Sequence, residues 1–389
     1  MARILGLEST CDETAAAVVA DGRTVLSNVV ASQAHLHAKY RGVVPEIASR
    51  AHIENILPVI RESLQQSSTK LQDIDAISVA HRPGLIGSLL IGVTAAKTLA
   101  WSLRKPLIGV DHVHAHLYSV MLSSPALSPS PGTPGEGRGE GSSLEVERWK
   151  LEVGRSPLVA NASPSILSDP LPTPIFPALG LVISGGHTAL YELNSFTDLH
   201  LIGATIDDAV GEAYDKVSAI LGLGYPGGPI IDNLAISGDP NAIKFPRTLL
   251  ARDSLDFSFS GLKTAVLYHV RGVPTKGQQI KHTQVSLTDR DLANISASFQ
   301  SACIDVITTK LKRAAKRTKA KSILIGGGVS ANRGLRQALL SFSLPVLFPP
   351  LPYCTDNAAM SAALAHLFHE RSDFSPLSLD AIPRSQFSR

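Results

Sequence analysis

The sequence predicts an α/β protein made of two halves with a similar order of elements. Short apolar runs alternate with segments of helical periodicity along most of the chain, which is the pattern of α/β folds. Each half opens with a strand, a polar or glycine-rich turn and a second strand, once within 3–20 and again within 178–193. A nucleotide held between two lobes fits this arrangement. The alternative is a single doubly wound α/β domain in which the glycines are incidental.

The first half contains four predicted strands and three predicted helices. The helix over 46–66 follows from apolar residues at helical spacing, and the strand over 74–80 from a short apolar run. A Pro-Gly turn then precedes a helix of small residues. The strands are predicted at 3–8, 14–20, 74–80 and 106–110, and the helices at 46–66, 86–103 and 112–122.

The second half repeats this alternation. The strand over 178–184 runs into two glycines, and the strand over 322–326 runs into a glycine triplet followed by a helix. The strands are predicted at 178–184, 188–193 and 322–326, and the helices at 207–221, 291–318, from about Arg333, and 356–370.

A segment of different composition separates the halves. Ten of the 25 prolines lie between Pro125 and Pro177, and the centre of this segment is low-complexity Pro/Gly/Ser. Such a composition is typical of a disordered loop. Without it the formal net charge rises from +3 to +5. We therefore expect a first lobe in 1–122, an insertion in 123–177, a second lobe in 178–355, a helix over 356–370 packed on the first lobe, and a polar tail in 371–389.

Composition excludes several classes of protein. The chain has 389 residues, 44% of them apolar and 18% charged, which is sufficient for two or three folded domains of ~100–200 residues. Cys11, Cys303 and Cys354 are far apart, so neither a disulfide framework nor a cysteine zinc site follows. The N-terminus lacks a secretory signal, and the most apolar stretch, 85–100, is shorter than a membrane span. We expect a cytoplasmic protein without a membrane partner.

Two histidines have the spacing of a metal-ligand pair. His112 and His116 lie at i and i+4 of a predicted helix, so both imidazoles face one side. Iron or zinc suits imidazole combined with carboxylate. Val113 stands where a zinc protease carries its general-base glutamate. The alternative is a polar helix face with chance histidines.

Two glycine-rich turns follow strands in the second half. Ser184 to Gly186 and Gly326 to Gly328 could present backbone N–H groups to a phosphate. Neither is a Rossmann or a P-loop motif. Each could also be only a tight turn.

Four acidic residues lie on the predicted helix over 207–221. Such a cluster is commonly a solvated face, whereas a cation or ribose hydroxyls would be its functional partners. The residues are Asp207, Asp208, Glu212 and Asp215.

Ten motifs together resemble the tRNA N6-adenosine threonylcarbamoyltransferase family, whose bacterial form is TsaD and which was once called O-sialoglycoprotein endopeptidase. They occur in family order along nearly the whole chain outside the insertion. The motifs are GLESTCDET (6–14), GVVPEIASRAH (42–52), PGLIGSLLIG (83–92), HVHAHL (112–117), VISGGHT (182–188), IDDAVGEAYDK (206–216), YPGGP (225–229), DFSFSGLKT (256–264), GGGVSANR (326–333) and CTDNAAM (354–360).

The resemblance implies a fold and a reaction. The fold would be the two-lobed actin/Hsp70-like ATPase (ASKHA) fold, here with a low-complexity insertion. The reaction would transfer threonylcarbamoyl from threonylcarbamoyl-AMP to N6 of adenosine 37 in tRNAs that read ANN codons, with release of AMP. One divalent metal per subunit is implied, Fe²⁺ rather than Zn²⁺, besides the adenine nucleotide substrate or ATP. The implied partners are the tRNA anticodon loop, a TsaB-like paralogue, a TsaE-like ATPase and an upstream threonylcarbamoyl-AMP synthase.

The same resemblance implies the site residues. The metal ligands would be His112, His116 and Asp356, and Asp12 and Glu13 would form a catalytic acidic pair. The substrate-binding residues would be Val182, Ile183, Ser184, Gly185, Gly186, Asp215, Gly228, Asp232 and Asn332.

Two residues depart from the family pattern. Arg82 precedes the Pro-Gly turn where relatives have glycine, so the turn could differ or the arginine could contact phosphate. Asp111 stands where relatives often have His or Asn, and it could orient a neighbouring histidine. The alternative functions are a carbamoyl-phosphate-dependent O-carbamoyltransferase acting on a small molecule, a metalloprotease, and a non-enzymatic scaffold.

Overall fold

The computed structural model describes residues 1–40, 42–123, 173–272 and 287–387. Two five-stranded mixed sheets form the framework of these residues. The first sheet contains β1 (Arg3–Glu8), β2 (Glu13–Ala20), β3 (Thr24–Ser32), β4 (Ala76–Arg82) and β5 (Leu107–Asp111). The second contains β6 (Ala178–Ile183), β7 (Thr188–Ser195), β8 (Asp198–Ala204), β9 (Ser322–Gly326) and β10 (Val346–Leu347).

Helices flank both sheets. Those of the first part of the chain are α1 (Ala34–His37), α2 (Pro45–Gln66), α3 (Ile86–Leu103) and α4 (His112–Tyr118). Those of the later part are α5 (Val210–Leu221), α6 (Gly227–Ala235), α7 (Ser260–Arg271), α8 (Asp289–Thr318), α9 (Arg333–Leu339) and α10 (Ala358–Glu370).

The two sheets have the same topology. The first has the strand order β3-β2-β1-β4-β5, and the second has β8-β7-β6-β9-β10. In each, the first two strands form an antiparallel hairpin, and the first strand also pairs in parallel with a strand from later in the sequence. The α/β class and the predicted similarity of the halves are therefore confirmed, and the two hairpin turns occupy equivalent places.

Several elements differ from the sequence prediction. The helix predicted over 207–221 begins at Val210, and the one predicted over 356–370 begins at Ala358. The helix predicted over 112–122 ends at Tyr118 and continues as a 3-10 turn. The strands β3, β8 and β10 and the helices α1, α6 and α7 were not predicted. Consequently Asp207, Asp208 and Asp356 precede helices rather than lying on them.

Helix α10 packs against the first sheet, although its sequence follows the second. Its face is made of alanines, which permits close contact: a Cβ added to Gly6 of β1 would lie 2.5 Å from the Ala358 carbonyl oxygen. Apolar residues of α4, α10, β1 and β6 share one core cluster. This arrangement brings residues just before α10 beside the end of β5 and the start of α4.

The chain after α10 returns along the edge of the first sheet. Ser375 forms a bridge with Leu107 of β5, and its hydroxyl accepts from the Gly109 N–H at 2.9 Å. Further on, the Ile382 N–H donates to the His81 carbonyl. The Ser375 contacts cover part of the open edge of β5, and the Ile382 contact joins the tail to the end of β4.

Helix α3 has the length and mean hydropathy of a membrane span, a property that core helices of globular proteins share. A third of it is buried in this fold. Most of the segment predicted to be a disordered insertion, residues 124–172, lies outside the described residues.

Candidate active site

Three predicted metal ligands meet where β5 passes into α4. His112 is the first residue of α4 and His116 lies one turn later, so their rings stand 4.6 Å apart. The Asp356 Oδ1 atom lies 3.1 Å from His116 Nε2 and 3.5 Å from His112 Nε2. One ligand atom from each residue lies within 4.8 Å of the others. Two imidazoles and a carboxylate converging in this way are suited to a divalent iron or zinc ion.

Glu8 orients one of the two histidines. Its carboxylate is completely buried at the end of β1, with Oε2 3.1 Å from His112 Nδ1. Its other oxygen accepts from the Thr10 N–H, and the Ser361 hydroxyl donates to Oε2. A carboxylate on one imidazole nitrogen leaves the other nitrogen free for a metal. Glu8 lies in the motif GLESTCDET, but nothing in the sequence indicates this role, because its partner His112 is 104 residues away.

The two ligand histidines have opposite pKa shifts. Burial lowers the pKa of His112, but the Glu8 and Asp356 carboxylates outweigh burial and raise it well above its ordinary value. Burial prevails at His116, whose pKa is lowered. Burial opposes ionisation of Asp356, yet the two histidines hold its pKa well below the usual range. These directions place a proton on His112 between the Glu8 and Asp356 carboxylates, where the positive charge of a bound metal ion would take its place.

The glycine-rich turn after β6 lies beside this cluster. His187, at its end, has its ring 6.4 Å from the His112 ring, and burial together with the two ligand histidines lowers its pKa to about 4. Gly185 and Gly186 face open space, with no heavy atom within 4 Å of an added Cβ. The side chains of Val182 and Ile183 are buried in the cores, so only their backbone could contact a ligand.

The predicted acidic pair lies in the turn between β1 and β2. Asp12 is buried, and its carbonyl accepts from the Gln33 N–H. Burial, followed by the charges of Asp12 and Asp356, raises the pKa of Glu13 well above its ordinary value. The Asp356 carboxylate is thus near enough to Glu13 for its charge to contribute to this shift.

Asp215 on α5 approaches the same cleft from the second sheet. Its Oδ1 accepts from the Gly227 N–H at 2.7 Å, at the start of α6. Burial and the nearby Asp12 raise the pKa of Asp215 to about 6. Gly228 follows with open space around its α-carbon. Residues from both halves of the chain therefore line the cleft.

Two further predicted residues join through a glutamine that the sequence did not reveal. Gln300 on α8 accepts from Asn332 Nδ2 at 2.6 Å and donates to Asp232 Oδ1 at 3.2 Å. Asp232 also forms an ion pair with Arg333 at 2.8 Å, and Asn332 caps α9 by accepting from the Leu335 N–H. Gln300 is 68 residues from Asp232 and 32 from Asn332, so no local sequence pattern predicts that they are hydrogen-bonded.

The acidic residues before α5 have a structural role. The Asp207 carboxylate accepts from the backbone N–H groups of Phe259 and Ser260 and from the Ser260 hydroxyl at 2.8 Å. Asp208 forms ion pairs with Lys216 and Lys263 at 2.6 and 2.8 Å. The expectation of one acidic helix face is thus wrong, because the helix starts after both aspartates. The motif DFSFSGLKT supplies the partners named for Asp207 and one of the two lysines that pair with Asp208.

The two departures from the family pattern also acquire roles. Arg82 ends β4 and its Nε donates to His81 Nε2 at 2.9 Å, and it is not among the positive-φ residues of the described chain. Asp111 caps α4 by accepting from the N–H groups of Val113 and His114. The carboxylate on His112 Nδ1 is Glu8, and the described contacts of Asp111 with the start of α4 are to backbone N–H groups, not to an imidazole.

Two sheets of identical topology with a polar cleft define an α/β protein of the actin/Hsp70-like fold. The solved structure of full-length HypF in the phosphate- and nucleotide-bound form is similar to this chain, with a TM-score of 0.51 and 14% identity over 96% of this chain and 56% of that one. The HypF structure from T. kodakarensis also has a TM-score of 0.51, covering 95% of this chain and 48% of that one. At this identity the likeness concerns the fold alone.

Sequence comparison gives the family. The TsaD family, described as tRNA N6-adenosine threonylcarbamoyltransferase, matches 24–133 and 160–363. The tRNA N6-adenosine threonylcarbamoyltransferase of Moorella thermoacetica is 44% identical over 384 residues, covering 98% of this chain and 96% of that relative. That of Symbiobacterium thermophilum is also 44% identical, covering 98% and 95%. The chain therefore belongs to the tRNA N6-adenosine threonylcarbamoyltransferase family, a family of transferases that modify tRNA.

Proposed function

We propose that the chain transfers threonylcarbamoyl from threonylcarbamoyl-AMP to N6 of adenosine 37 in tRNAs that read ANN codons. The observation that carries the proposal is the cluster of His112, His116 and Asp356 beside the glycine-rich turn in a cleft lined by both sheets. The metal-ligand cluster would bind the threonylcarbamoyl group, and the adjoining glycine-rich turn would bind the phosphate of the same substrate. Family membership supports the substrate class.

The donor set supports one divalent metal, with Fe²⁺ as the expected ion. His112, His116 and Asp356 would hold it, and Glu8 would fix the tautomer of His112. When bound, it would supply Lewis acidity and orientation for the threonylcarbamoyl group. His116 Nδ1 is buried without a hydrogen-bond partner in the described part of the chain.

Residues of the second sheet support a nucleotide site. The N–H groups of Gly185 and Gly186 would bind the phosphate of the AMP leaving group, and Ser184 would hold the turn in place for them. The turn is rigid at its ends, since the Ser184 N–H donates to the His187 carbonyl at 2.8 Å. The residues proposed to hold the rest of the adenylate are Val182 and Ile183 through their backbone, Asp215, Gly228, Asp232 and Asn332.

The acidic turn supports a proton acceptor. The N6 amine of adenine loses a proton when it forms the new bond to the carbamoyl carbon. Asp12 or Glu13 would accept this proton, and the raised pKa of Glu13 makes its carboxylate a stronger base when ionised. Adenosine 37 lies in a single-stranded loop, from which a base can enter a cleft.

An apolar face on α2 and α3 supports the proposed TsaB-like partner. Ile53 and Leu57 lie one turn apart on α2 and are 61% and 65% exposed. Ile86 and Leu90 lie one turn apart on the neighbouring α3 and are 49% and 44% exposed. Exposed apolar pairs on adjacent helices mark protein contact sites. The other proposed partners are a TsaE-like ATPase and an upstream threonylcarbamoyl-AMP synthase, in the cytoplasm.

A reconstituted reaction tests the proposal. The chain, its proposed partners, threonylcarbamoyl-AMP and unmodified tRNA are incubated, and the digested nucleosides are analysed by mass spectrometry. We expect threonylcarbamoyl-adenosine with the chain as it is, and none with His112→Ala. The matched control is His200→Ala, an exposed histidine paired with Asp198. Absence of the modified nucleoside in the complete reaction would reject the proposal. Turnover of carbamoyl phosphate without tRNA would favour the O-carbamoyltransferase instead.

A further inference from the structure

The last described residues contact the start of the metal-ligand helix. The Ser385 hydroxyl donates to Asp111 Oδ2 at 2.7 Å, and the Gln386 N–H donates to the same oxygen at 3.1 Å. The Phe387 N–H in turn donates to the Ser385 hydroxyl at 3.1 Å. These residues lie beyond 363, where the family match ends. We name residues 385–387 the tail clasp.

Asp111 connects the tail clasp to α4. Its Oδ1 accepts from the Val113 and His114 N–H groups at 3.0 and 3.2 Å, while its Oδ2 accepts only tail donors among the described contacts. The side chain is 3% exposed with the tail in place, so in Ser385→Ala the Oδ2 atom would lose its hydroxyl donor while the rest of the tail still shields it from water. A buried carboxylate oxygen without donors is strongly unfavourable.

A ring contact reinforces this connection. The Phe387 ring stands edge-to-face to the His114 ring, with centroids 5.6 Å apart and an interplanar angle of 87°. Phe387 also packs against the core that contains α4 and α10. Helix α4 has only seven residues, with His112 at its first position, so its geometry depends on its cap. Displacement of the cap would move His112.

We propose that the tail clasp is a positioning device for the metal-ligand helix: by satisfying Asp111 and packing on His114, it holds His112 where it faces His116 and Asp356. This inference rests on the metal centre of the proposed function. The clasp acts through the helix and contacts neither the ligand atoms nor the substrate. It gives the chain segment after the family match a role in metal affinity.

Two truncations of the full chain test this. Removal of 385–389 deletes the clasp, whereas removal of 388–389 leaves it intact. Hydrogen exchange of the 112–118 segment, measured without metal, and the affinity for Co²⁺ alone, measured by its visible absorption, are compared. We expect the longer truncation to exchange this segment at least about tenfold faster and to bind Co²⁺ about tenfold more weakly. The shorter truncation should match the full chain in both.

The single change Ser385→Ala keeps the test valid if the longer truncation fails to fold, and it should shift both measurements in the same direction. If the 112–118 segment exchanged its amide hydrogens equally fast in Ser385→Ala and in the full chain, the contact would be overturned. If exchange were faster but the affinity for Co²⁺ were equal, the positioning role of the tail clasp would be overturned. Loss of Co²⁺ binding in the full chain itself would reject the metal centre together with this inference. Normal binding that is insensitive to the tail would reject the inference alone.

Discussion

The charge state of each cleft residue follows from its immediate neighbours. His112 has two carboxylates around it and a raised pKa, whereas His187 has histidine neighbours and a pKa lowered to about 4. Asp215 is partly buried near Asp12, which raises its pKa to about 6. At neutral pH these shifts favour a protonated His112, a neutral His187 and an ionised Asp215.

Asp215 gives a pH-dependent prediction. The folded chain retains the Asp215 proton up to about pH 6, while the unfolded chain loses it near 3.8, so stability decreases as pH rises through this window. Asp215→Asn removes this decrease, because its amide cannot ionise. We expect the variant to exceed the parent in unfolding free energy by roughly 1–3 kcal/mol at pH 8 and by much less at pH 4.5. Urea unfolding at both pH values measures the difference.

The control for this experiment is Asp253→Asn, which changes an exposed carboxylate. The difference in unfolding free energy between this variant and the parent should be the same at both pH values. A difference between Asp215→Asn and the parent that is constant from pH 4.5 to 8 would contradict the assigned pKa shift.

Individual site residues were predictable to different degrees. The pairing of His112 and His116 followed from their i, i+4 spacing, which the helix α4 bears out. Asp356 is 240 positions after His116, so no local pattern pointed to it and only the family resemblance did. Glu8 and Gln300 received no role, because buried acidic and amide side chains become meaningful only when their hydrogen-bond partners are known.

At the scale of elements, helix starts explain several of the differences between prediction and structure. Helix α6 begins with two glycines and a proline, which in sequence indicate a turn but are also tolerated in the first turn of a helix. Helix α7 follows Phe259, which has no side-chain acceptor for capping. Its cap comes from Asp207, more than 50 residues earlier, which local sequence patterns cannot reveal.

The capping of α7 by Asp207 gives a second prediction. Asp207→Ala removes the acceptor for the N–H groups of Phe259 and Ser260 and should lower the unfolding free energy by about 1–2 kcal/mol. Metal affinity should not change, because Asp207 lies apart from the ligand cluster. Chemical denaturation and metal titration measure the two effects. Asp253→Ala is the control, and equal stability of the two variants would contradict the capping role.

At the scale of the whole molecule, duplication of one topology creates the site. The equivalent hairpin turns carry Asp12 in one sheet and Ser184 in the other. The sequence could predict this similarity because strand–turn–strand patterns repeat. It could not predict that α10, late in the chain, would pack on the first sheet and deliver Asp356, since that depends on a crossover between the lobes.

The insertion between the lobes gives the last prediction. The family match leaves out 134–159, although it includes residues on both sides. We expect deletion of 134–159 to leave turnover unchanged and to alter unfolding free energy by less than about 1 kcal/mol, because loop-closure entropy depends weakly on loop length. Kinetics of the reconstituted reaction and urea unfolding measure both.

The contacts of the residues just before β6 limit how far such a deletion can extend towards the C-terminus. Ile175 exchanges hydrogen bonds with the Ser322 hydroxyl at 3.0 and 2.8 Å, and the Lys321 N–H donates to the Pro177 carbonyl. These contacts join the entry of β6 to β9, so a deletion that extended to Ile175 would remove part of this junction. Deletion of 173–177 is the matched control and should destabilise the second sheet. A large loss of turnover in the folded 134–159 deletion would show that the insertion takes part in the reaction.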